Sequence, residues 1–430
     1  MNNRFKKKLK ILFISRRFYP EIIGGGQISA YYIAKEISKY YDVNVCTFAD
    51  EKNKENLNEI IDNIKIKRYF MPKFFLSKKL SNLDYMYYQI AKKSSEIIKE
   101  IKPDIIHLLN FESIPYTAKF IKKNFDIPII TTVNGPNFGC FIGTGNDYKN
   151  NICIKCETKK RFFCSKNYWG TIKGSFYYIY SLWYMELLKE SYKYIDKFIG
   201  ISNAMVPLLK NMCVDEKKIS VIHNPIGEIP KIDNQKIKEI KKKYLGKKIL
   251  LCASRLAYEK GIQFAIEAMK YLDDPFVLLI IGSGSYESEL KRLTKKLNLE
   301  KKVFFIGKIE QKELYNYYKI SFLFLHFPYF YEPFGRTLIE AMSMGCPCLA
   351  YPVAGIKDIV NEKNGFLLST REPSIIAKKI KEIEKNKKEY KKIRYKCILE
   401  IKKYSDEKIA EKYIKEYSRL IKKEINKNEI

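Results

Sequence analysis

Short apolar runs alternate with amphipathic segments along the first half of the chain. Helical patterns cover 27–40, after the glycine run Gly24–Gly26, and the stretch around 116–123. Buried-strand patterns occupy 10–15, 43–48, 64–69, 104–109, 127–133, 197–201 and 218–222. Strands separated by helices predict βαβ units, and therefore a parallel sheet with helices on both faces.

The same alternation restarts after a seam at 223–243 that is rich in proline, glycine and charge. Strand patterns recur at 248–253, 276–281, 303–306, 321–325 and 347–350. The fold class we predict is α/β, with two doubly wound, Rossmann-like domains facing a central cleft. Ligands of such domains bind outside the carboxyl ends of the strands.

The charge balance is strongly basic, with 80 Lys and Arg against 48 Asp and Glu and a net charge of +32. It indicates either attraction to polyanions or a compositional bias, because Lys, Ile, Asn and Tyr are all abundant. A dense basic block near the N-terminus could add attraction to an anionic membrane. The block comprises Arg4, Lys6, Lys7, Lys8, Lys10, Arg16 and Arg17.

Several protein classes are excluded or disfavoured. No apolar run approaches the ~20 residues of a membrane-spanning helix, and the apolar stretch near the N-terminus is shorter than a signal-peptide core. We therefore expect a cytoplasmic location, with peripheral attachment to the inner membrane face as one option. No nucleic-acid partner is expected, because charge alone favours one and no recognition motif accompanies it.

The segment 331–347 carries the strongest candidate chemistry. Glu332 is predicted to lie in a loop, while Glu340 falls inside the helix that begins near Gly335. Free N–H groups over 335–337 would point at a phosphate. Glu340 could accept ribose hydroxyls, although either glutamate could instead be an ordinary loop or helix carboxylate.

Three further loops follow predicted strands. In 254–261, Arg255 and Lys260 flank a turn, and together they could neutralise a diphosphate leaving group. The Gly24–Gly26 run and the Gly282–Ser285 loop would allow close approach to a ligand. Each of these three loops by itself is only a weak indication of a ligand-binding site.

Taken in order, these segments resemble the family 4 glycosyltransferases of the two-domain GT-B architecture. The resemblance covers about residues 10 to 370 and rests on SRLAYEKG, IGSGS, FIGKI, FYEPFGRTLIEAMSMGCPCLA and GIKDIVNEKNGFLL in the second half. In the first half it rests on FISRRFYPEIIGGGQISAYYIAKEIS, PDIIHLL, FIGISNAMVPLL and VIHNPI.

The resemblance implies a hexosyltransferase-type enzyme that moves a sugar from a nucleotide-sugar donor, a UDP- or GDP-sugar, with retention of configuration and no required cofactor. The acceptor would be a glycan or lipid-linked molecule in surface polysaccharide or glycolipid biosynthesis. Residues 1–226 would form the acceptor domain and 227–405 the donor domain. Residues 406–430 would form a helix that returns to the N-terminal domain.

The resemblance also implies roles for individual residues. Arg255, Lys260 and Glu332 would be catalytic, with both cations on the donor diphosphate. The departing phosphate would itself take the acceptor proton. The donor-binding set would comprise Gly25, Gly26, Asn134, Gly282, Phe334, Gly335, Arg336, Thr337 and Glu340.

Asn134 departs from the family pattern, in which a histidine usually follows this strand. An asparagine can hydrogen-bond a sugar but cannot carry a proton. The alternatives are altered donor recognition or a non-catalytic relative that only binds nucleotide-sugars. We interpret His107 as a structural or cleft-lining histidine.

Four cysteines lie in an insertion predicted at about 137–168, namely Cys140, Cys153, Cys156 and Cys164. Four thiolates can close a tetrahedral zinc site, and Cys153 and Cys156 form a CxxC pair. Free thiols, an iron–sulfur centre and a redox pair are the alternatives. The segment 175–188 next to the insertion is unusually aromatic, which indicates either a core helix or a helix at a membrane interface.

Overall fold

The computed structural model describes residues 8–21, 24–49, 56–70, 81–149 and 151–428. The chain divides into two compact units. The first comprises Met1–Pro225 with Asp406–Ile430, and the second comprises Ile226–Ser405. Of the basic block, Arg4, Lys6 and Lys7 lie outside the described residues.

The strands are β1 Lys10–Ser15, β2 Asp42–Ala49, β3 Leu57–Ile61, β4 Ile64–Phe70, β5 Ile105–Leu108, β6 Ile129–Val133, β7 Lys197–Gly200, β8 Ile219–Val221, β9 Lys248–Ala253, β10 Phe276–Ile281, β11 Val303–Gly307, β12 Leu323–His326, β13 Cys348–Ala350 and β14 Gly365–Leu367. The first eight belong to the first unit and the last six to the second.

The helices are α1 Gly25–Ile37, α2 Ser81–Ile101, α3 Thr117–Phe125, α4 Thr158–Trp169, α5 Thr171–Tyr192, α6 Met205–Asn211, α7 Asn234–Lys243, α8 Ile262–Ala268, α9 Glu287–Lys296, α10 Gln311–Ile320, α11 Arg336–Ser343, α12 Ile356–Ile359, α13 Pro373–Lys385, α14 Lys387–Glu400 and α15 Asp406–Asn428. Short 3-10 turns link several of them, including Tyr258–Lys260 between β9 and α8.

The first unit is built on an eight-stranded sheet in the order β3-β4-β2-β1-β5-β6-β7-β8. Its strand pairs are parallel except for β3 with β4. The central strands are apolar on both faces, as in Ile11–Ile14, which is fully buried. Burial on both faces is what helices on each side of a parallel sheet require.

The last helix, α15, belongs to the first unit. Its Tyr413 and Tyr417 are fully buried with the apolar residues of β1 and β2. The hydroxyl of Tyr413 lies 3.2 Å from Thr132 Oγ1. Glu416 on the same helix accepts a hydrogen bond from the Ser220 hydroxyl at 3.2 Å. The helix therefore completes the hydrophobic core of this unit.

The second unit is built on a six-stranded, fully parallel sheet in the order β11-β10-β9-β12-β13-β14. Its core includes Leu250, Leu278 and Leu323 from three adjacent strands and Ile266 from α8, all fully buried. The two parallel α/β units confirm the predicted fold class.

The structure adds three details to these predictions. The seam at 223–243 contains the helix α7, which Asp233 caps through its side chain. Two strands were not predicted, namely β3, whose residues are largely exposed, and the three-residue β14. The described part of the basic block is not a single exposed surface, since Arg16 is buried and donates to the Phe48 carbonyl.

Among the helices of the described residues, none has the length and apolar character needed to cross a bilayer.

Candidate functional site

Three loops emerge side by side at one edge of the second sheet. Strand β9 pairs with β10 on one side and with β12 on the other, and all three are parallel. Their carboxyl ends therefore lead into 254–261, 282–285 and 327–335, respectively. These loops carry half of the predicted catalytic and donor-binding residues, at the edge where parallel α/β sheets bind ligands. They are Arg255, Lys260, Gly282, Glu332, Phe334 and Gly335.

Lys260 and Glu332 come together at this edge, with Lys260 Nζ 2.7 Å from Glu332 Oε2. The turn that carries Lys260 is pressed against the end of β12. A Cβ atom on the next residue, Gly261, would lie only 1.8 Å from the Phe327 carbonyl oxygen, and its φ is +69°. Only glycine tolerates both conditions, so Gly261 is what allows this approach.

The surroundings of Glu332 favour its ionised form. Burial disfavours the charge, but Lys260, His326 and the Gly335 N–H more than compensate and lower the pKa of Glu332 below its ordinary value. Glu332 is therefore a carboxylate at neutral pH, and its charge is balanced by Lys260 on one side.

His326, the last residue of β12, is a site residue that the sequence analysis missed. Its Nε2 lies 3.9 Å from Glu332 Oε2 and has no hydrogen-bond partner among the described residues. Burial, together with the charge on Lys260, lowers the pKa of His326 to about 4, so its ring is neutral at pH 7. Its position at the carboxyl end of an apolar run was the available signal.

Glu340 is buried in α11, and protein groups contact both of its oxygens. Gln311 Nε2 donates to Oε1 at 3.1 Å, and Arg336 Nε lies 3.1 Å from the same oxygen. The Tyr318 hydroxyl is 3.3 Å from Oε2. Burial raises the pKa of Glu340, although these partners oppose the shift. A ribose hydroxyl would have to share or replace one of these contacts, so the ribose-binding role stays a prediction.

Arg255 is not part of the Lys260–Glu332 contact. Its side chain is 66% exposed and pairs with Glu259 on its own turn. The neighbouring loop packs tightly against this one, because a Cβ on Gly282 would lie 1.9 Å from the Ser254 carbonyl oxygen and its φ is +133°. Gly282 therefore allows the loops 282–285 and 254–261 to pack against each other, and this role does not depend on a ligand.

The other predicted donor-binding residues surround the start of α11. Phe334 is buried and packs edge-on against Tyr404, with ring centroids 6.0 Å apart. Arg336 donates to the Ile226 carbonyl as well as meeting Glu340. Because these side chains have structural contacts and the Gly335 N–H donates to Glu332, it is mainly the backbone N–H groups around Thr337, at the start of α11, that can serve a phosphate.

The first unit brings Gly26 and Asn134 together. Gly26 lies in the first turn of α1, and a Cβ there would lie 3.2 Å from Asn134 Nδ2. The same Nδ2 donates to the Leu109 carbonyl at 3.1 Å. Gly25 is the first residue of the helix. The structure thus groups three of the predicted residues, and their role in donor binding stays a prediction.

His107 has a structural environment. It is fully buried in β5, with Nδ1 2.7 Å from the Tyr417 hydroxyl and Nε2 2.8 Å from Thr132 Oγ1. Burial lowers its pKa to about 3, so the ring is neutral at neutral pH. Both ring nitrogens are occupied, which agrees with the structural interpretation.

The four cysteines of the insertion are free thiols in one neighbourhood. Burial, followed by the proximity of Cys140, raises the pKa of Cys156 to about 11 and that of Cys164 to about 12. Within the described ranges, no three His, Cys, Asp or Glu side chains form a metal-binding arrangement. Zinc would therefore have to draw the thiols closer and displace their protons, and the zinc site stays a prediction.

Comparison with solved structures identifies the fold. The chain is similar to Anabaena Alr3699/HepE in complex with UDP, with a TM-score of 0.71 and 17% identity over 96% of this chain and 100% of the other. It is also similar to sucrose-phosphate synthase from Thermosynechococcus elongatus, with a TM-score of 0.74 and 18% identity over 96% and 99% of the two chains. The fold is that of the GT-B glycosyltransferases.

Two family models then match nearly the whole chain. The model described as Glycosyltransferase Family 4 matches residues 23–227, and the model described as Glycosyl transferases group 1 matches residues 233–398. The chain belongs to the family 4 glycosyltransferases.

Individual relatives are more distant or match over shorter stretches. An uncharacterized glycosyltransferase of Methanocaldococcus jannaschii is 36% identical over 30% of this chain and 34% of its own length. A second from the same organism is 30% identical over 46% and 52% of the two chains. Glycogen synthase of Mycoplasma mobile is 26% identical over 94% and 99%. The chain thus spans about a third to a half of the first two relatives.

Proposed function

We propose that this chain transfers a sugar from a nucleotide-sugar donor to a glycan or lipid-linked acceptor, and that the second unit binds the donor. The observation that carries the proposal is the ion pair of Lys260 with Glu332, directly before α11. A cation and a helix N-terminus at the same sheet edge both attract a diphosphate. A glutamate held ionised beside them can accept hydrogen bonds from the hydroxyl groups of the donor sugar.

In the proposed reaction, the bond between the anomeric carbon and the diphosphate breaks while the acceptor oxygen bonds to the same face of that carbon. The departing phosphate oxygen takes the acceptor proton, so the configuration is retained without an enzyme nucleophile. Lys260 offsets the charge that builds on the phosphate. Arg255 would add a second cation after leaving Glu259, which its high exposure permits.

The two buried histidines support a route without a histidine base. His107 is fully buried, and both of its ring nitrogens are hydrogen-bonded, to the Tyr417 and Thr132 hydroxyls. His326 is neutral but faces the carboxylate Glu332. We propose that His326 positions Glu332 and leaves proton transfer to the phosphate.

The relatives favour particular donors and acceptors. One solved structure of Anabaena Alr3699/HepE contains UDP-glucose, which favours a UDP-sugar here over a GDP-sugar. Two relatives are named for lipid acceptors: an alpha-monoglucosyldiacylglycerol synthase of Streptococcus pneumoniae and a diphospho-undecaprenol N-acetylgalactosaminyltransferase of Campylobacter jejuni. We therefore propose a role in surface polysaccharide or glycolipid synthesis, at the cytoplasmic face of the membrane.

We also propose that transfer needs no divalent metal, because Lys260 and α11 supply the positive charge that a metal would. Transfer should then continue in EDTA.

A structural zinc ion in the cysteine cluster is a separate prediction. Metal analysis of the purified chain tests it, and about one zinc per chain is expected. A zinc-free, fully folded chain would contradict the zinc prediction.

A thermal-shift screen with UDP, GDP and ADP sugars, followed by radiolabelled transfer, tests the function. A ligand at 100 times its Kd stabilises the folded chain by roughly 2.7 kcal/mol. The Glu332→Gln variant should lose transfer. The exposed Glu362, substituted in the same way, is the matched control. Binding of none of these donors by the folded wild-type chain would contradict the proposal.

A second candidate function is nucleotide-sugar binding without catalysis. It is favoured by Asn134, which cannot carry a proton and whose amide already donates to Leu109. A donor that stabilises the chain but is not turned over with any acceptor would support this candidate. Turnover with any acceptor would exclude it.

A further inference from the structure

Helix α5 has one buried face and one exposed apolar face. Tyr184, Met185 and Leu188 point into the first unit and are almost fully buried. On the other face, Ile172, Phe176, Ile179 and Trp183 follow the helical spacing i, i+4, i+7 and i+11, and they are 88%, 63%, 66% and 46% exposed. We call these four residues the α5 stripe. The interpretation of this segment as a core helix is therefore correct for only half of its surface.

The α5 stripe sits on a rigid base. Helices α4 and α5 form a hairpin through Gly170, and they touch backbone to backbone. A Cβ on Gly174 would lie 2.5 Å from the Ser165 carbonyl oxygen. Buried Arg161 of α4 donates to the Ser181 carbonyl of α5 at 2.9 Å. Because the hairpin is closed by these contacts, the stripe cannot fold down onto α4.

The helical hairpin that carries the stripe has a net positive charge. Residues 158–192, which include α4 and α5, contain six Lys and Arg against two acidic residues, Glu186 and Glu190. Lys159 and Lys173 are exposed, and Lys166 lies over the Phe162 ring with 4.3 Å between Nζ and the ring centroid. Helix α4 packs against α5 at Gly174 and Ser181, opposite the stripe, so Lys173 is the exposed lysine of α5 that flanks the stripe. An apolar stripe beside a cation, on a chain with a net charge of +32, matches a surface that is apolar inside and anionic outside.

We propose that the α5 stripe docks on an anionic phospholipid bilayer, with Ile172, Phe176 and Ile179 entering the headgroup and acyl boundary and Trp183 at its edge. Lys173, on the flank of the stripe, meets the lipid headgroups. A second copy of the chain is a poorer occupant, because each copy carries a net charge of +32 and a two-fold interface would bring these like charges together. The proposal deepens the proposed function, since an enzyme on the bilayer reaches a lipid-linked acceptor.

Vesicle cosedimentation of the full chain, without donor or acceptor, tests the proposal. The wild-type chain should bind vesicles of phosphatidylcholine with phosphatidylglycerol, and bind phosphatidylcholine vesicles much more weakly. The variant Ile172→Ser/Phe176→Ser/Ile179→Ser should bind the anionic vesicles on the order of tenfold less or weaker. The variant Lys173→Gln should weaken binding and reduce its salt dependence.

The matched control replaces three equally exposed apolar residues elsewhere, Ile60→Ser/Leu245→Ser/Tyr395→Ser, which are 73%, 81% and 63% exposed in the wild type. It should bind like the wild type, and thermal melting should show that both triple variants fold. Absent binding of the wild type, or unchanged binding of the stripe variant, would overturn the proposal. So would a wild-type dimer that the stripe variant converts to a monomer.

Failure of this proposal and failure of sugar transfer are distinguishable, because vesicle binding is measured without donor and transfer can be measured on a detergent-dispersed acceptor. A stripe variant that transfers normally in detergent but poorly on vesicles would support docking. Equal transfer rates of the variant and the wild type on vesicles would count against it.

Discussion

Two buried histidines mark the difference between the two units. His107 in the first sheet is hydrogen-bonded to Tyr417 and Thr132, so both of its nitrogens are satisfied. His326 in the second sheet has an Nε2 without a hydrogen-bond partner among the described residues, 3.9 Å from Glu332. Buried polar atoms normally have partners, and an unpartnered one calls for an explanation. The first environment is closed and structural, and the second is suited to binding.

The charges around the two histidines also differ between the units. Around His107 the contacts are neutral hydroxyls, whereas the edge around His326 holds Lys260 and the ionised Glu332. Two sheets of the same type therefore differ in chemistry at their loops, as expected where function is carried by sites placed on a common fold.

The largest expected effect is on transfer by Glu332→Gln. The amide cannot balance Lys260 or accept as strongly from the donor sugar, so kcat should fall on the order of 100- to 1,000-fold. The measurement is radiolabelled transfer at saturating donor. His107→Gln should change kcat little, and a comparable loss there would erase the distinction between the two units.

The second prediction concerns stability. Gly261→Ala places a Cβ 1.8 Å from the Phe327 carbonyl oxygen and should cost about 3 kcal/mol or more of the free energy of unfolding. Gly246 is the matched control, because its φ is also positive at +73° but nothing lies within 4 Å of its Cβ position. Gly246→Ala should cost about 1 kcal/mol. If urea denaturation gave the same loss in the free energy of unfolding for both variants, the close approach of the Lys260 turn to β12 would not contribute to stability.

The third prediction is a pH dependence shared by both histidines. Burial is the main cause that lowers their folded-state pKa values, to about 3 for His107 and about 4 for His326. The unfolded chain therefore binds more protons than the folded chain below about pH 6.5. The contribution of each neutral histidine to the free energy of unfolding is complete above that pH. It is lost as the pH falls toward the pKa of the histidine in the folded state.

Each histidine should contribute a slope of up to about 1.4 kcal/mol per pH unit in that window. His107→Gln and His326→Gln should each flatten the curve of unfolding free energy between pH 6 and 5. At pH 7 the two should differ, since only His107 loses two hydrogen bonds. If His326→Gln were the more destabilising at pH 7, the contrast between the two environments would be wrong.

The smallest expected effect is that of Asn134→His. Asn134 contacts Gly26 and donates to Leu109, and a histidine would restore the usual family residue. We expect a change in donor preference of about tenfold or less, corresponding to about 1.4 kcal/mol. The ratio of kcat/KM for two donor sugars measures it, with wild type as the reference. An unchanged ratio would remove Asn134 from donor recognition.

Much of the fold could be read from the sequence, and the elements it missed have physical reasons. The runs at 10–15, 248–253 and 276–281 form strands at those bounds, because strands buried on both faces are continuously apolar. Strand β3 was missed because it is an exposed edge strand with no such run. Helix α5 was ambiguous because apolar residues surround it, and a sequence does not reveal which face a neighbour covers.

The candidate site divides in the same way. The sequence by itself determined two parallel α/β units and the loops after their strands, since periodicity, glycines and charges are local properties of the chain. Only the tertiary structure decided that Glu332 lies next to Lys260 and His326. It also decided that Gln311 and Tyr318 hydrogen-bond the carboxylate of Glu340, and that Arg255 pairs with Glu259. Apart from the last, these contacts join residues on different loops, strands and helices, and such distances are set by how the elements pack.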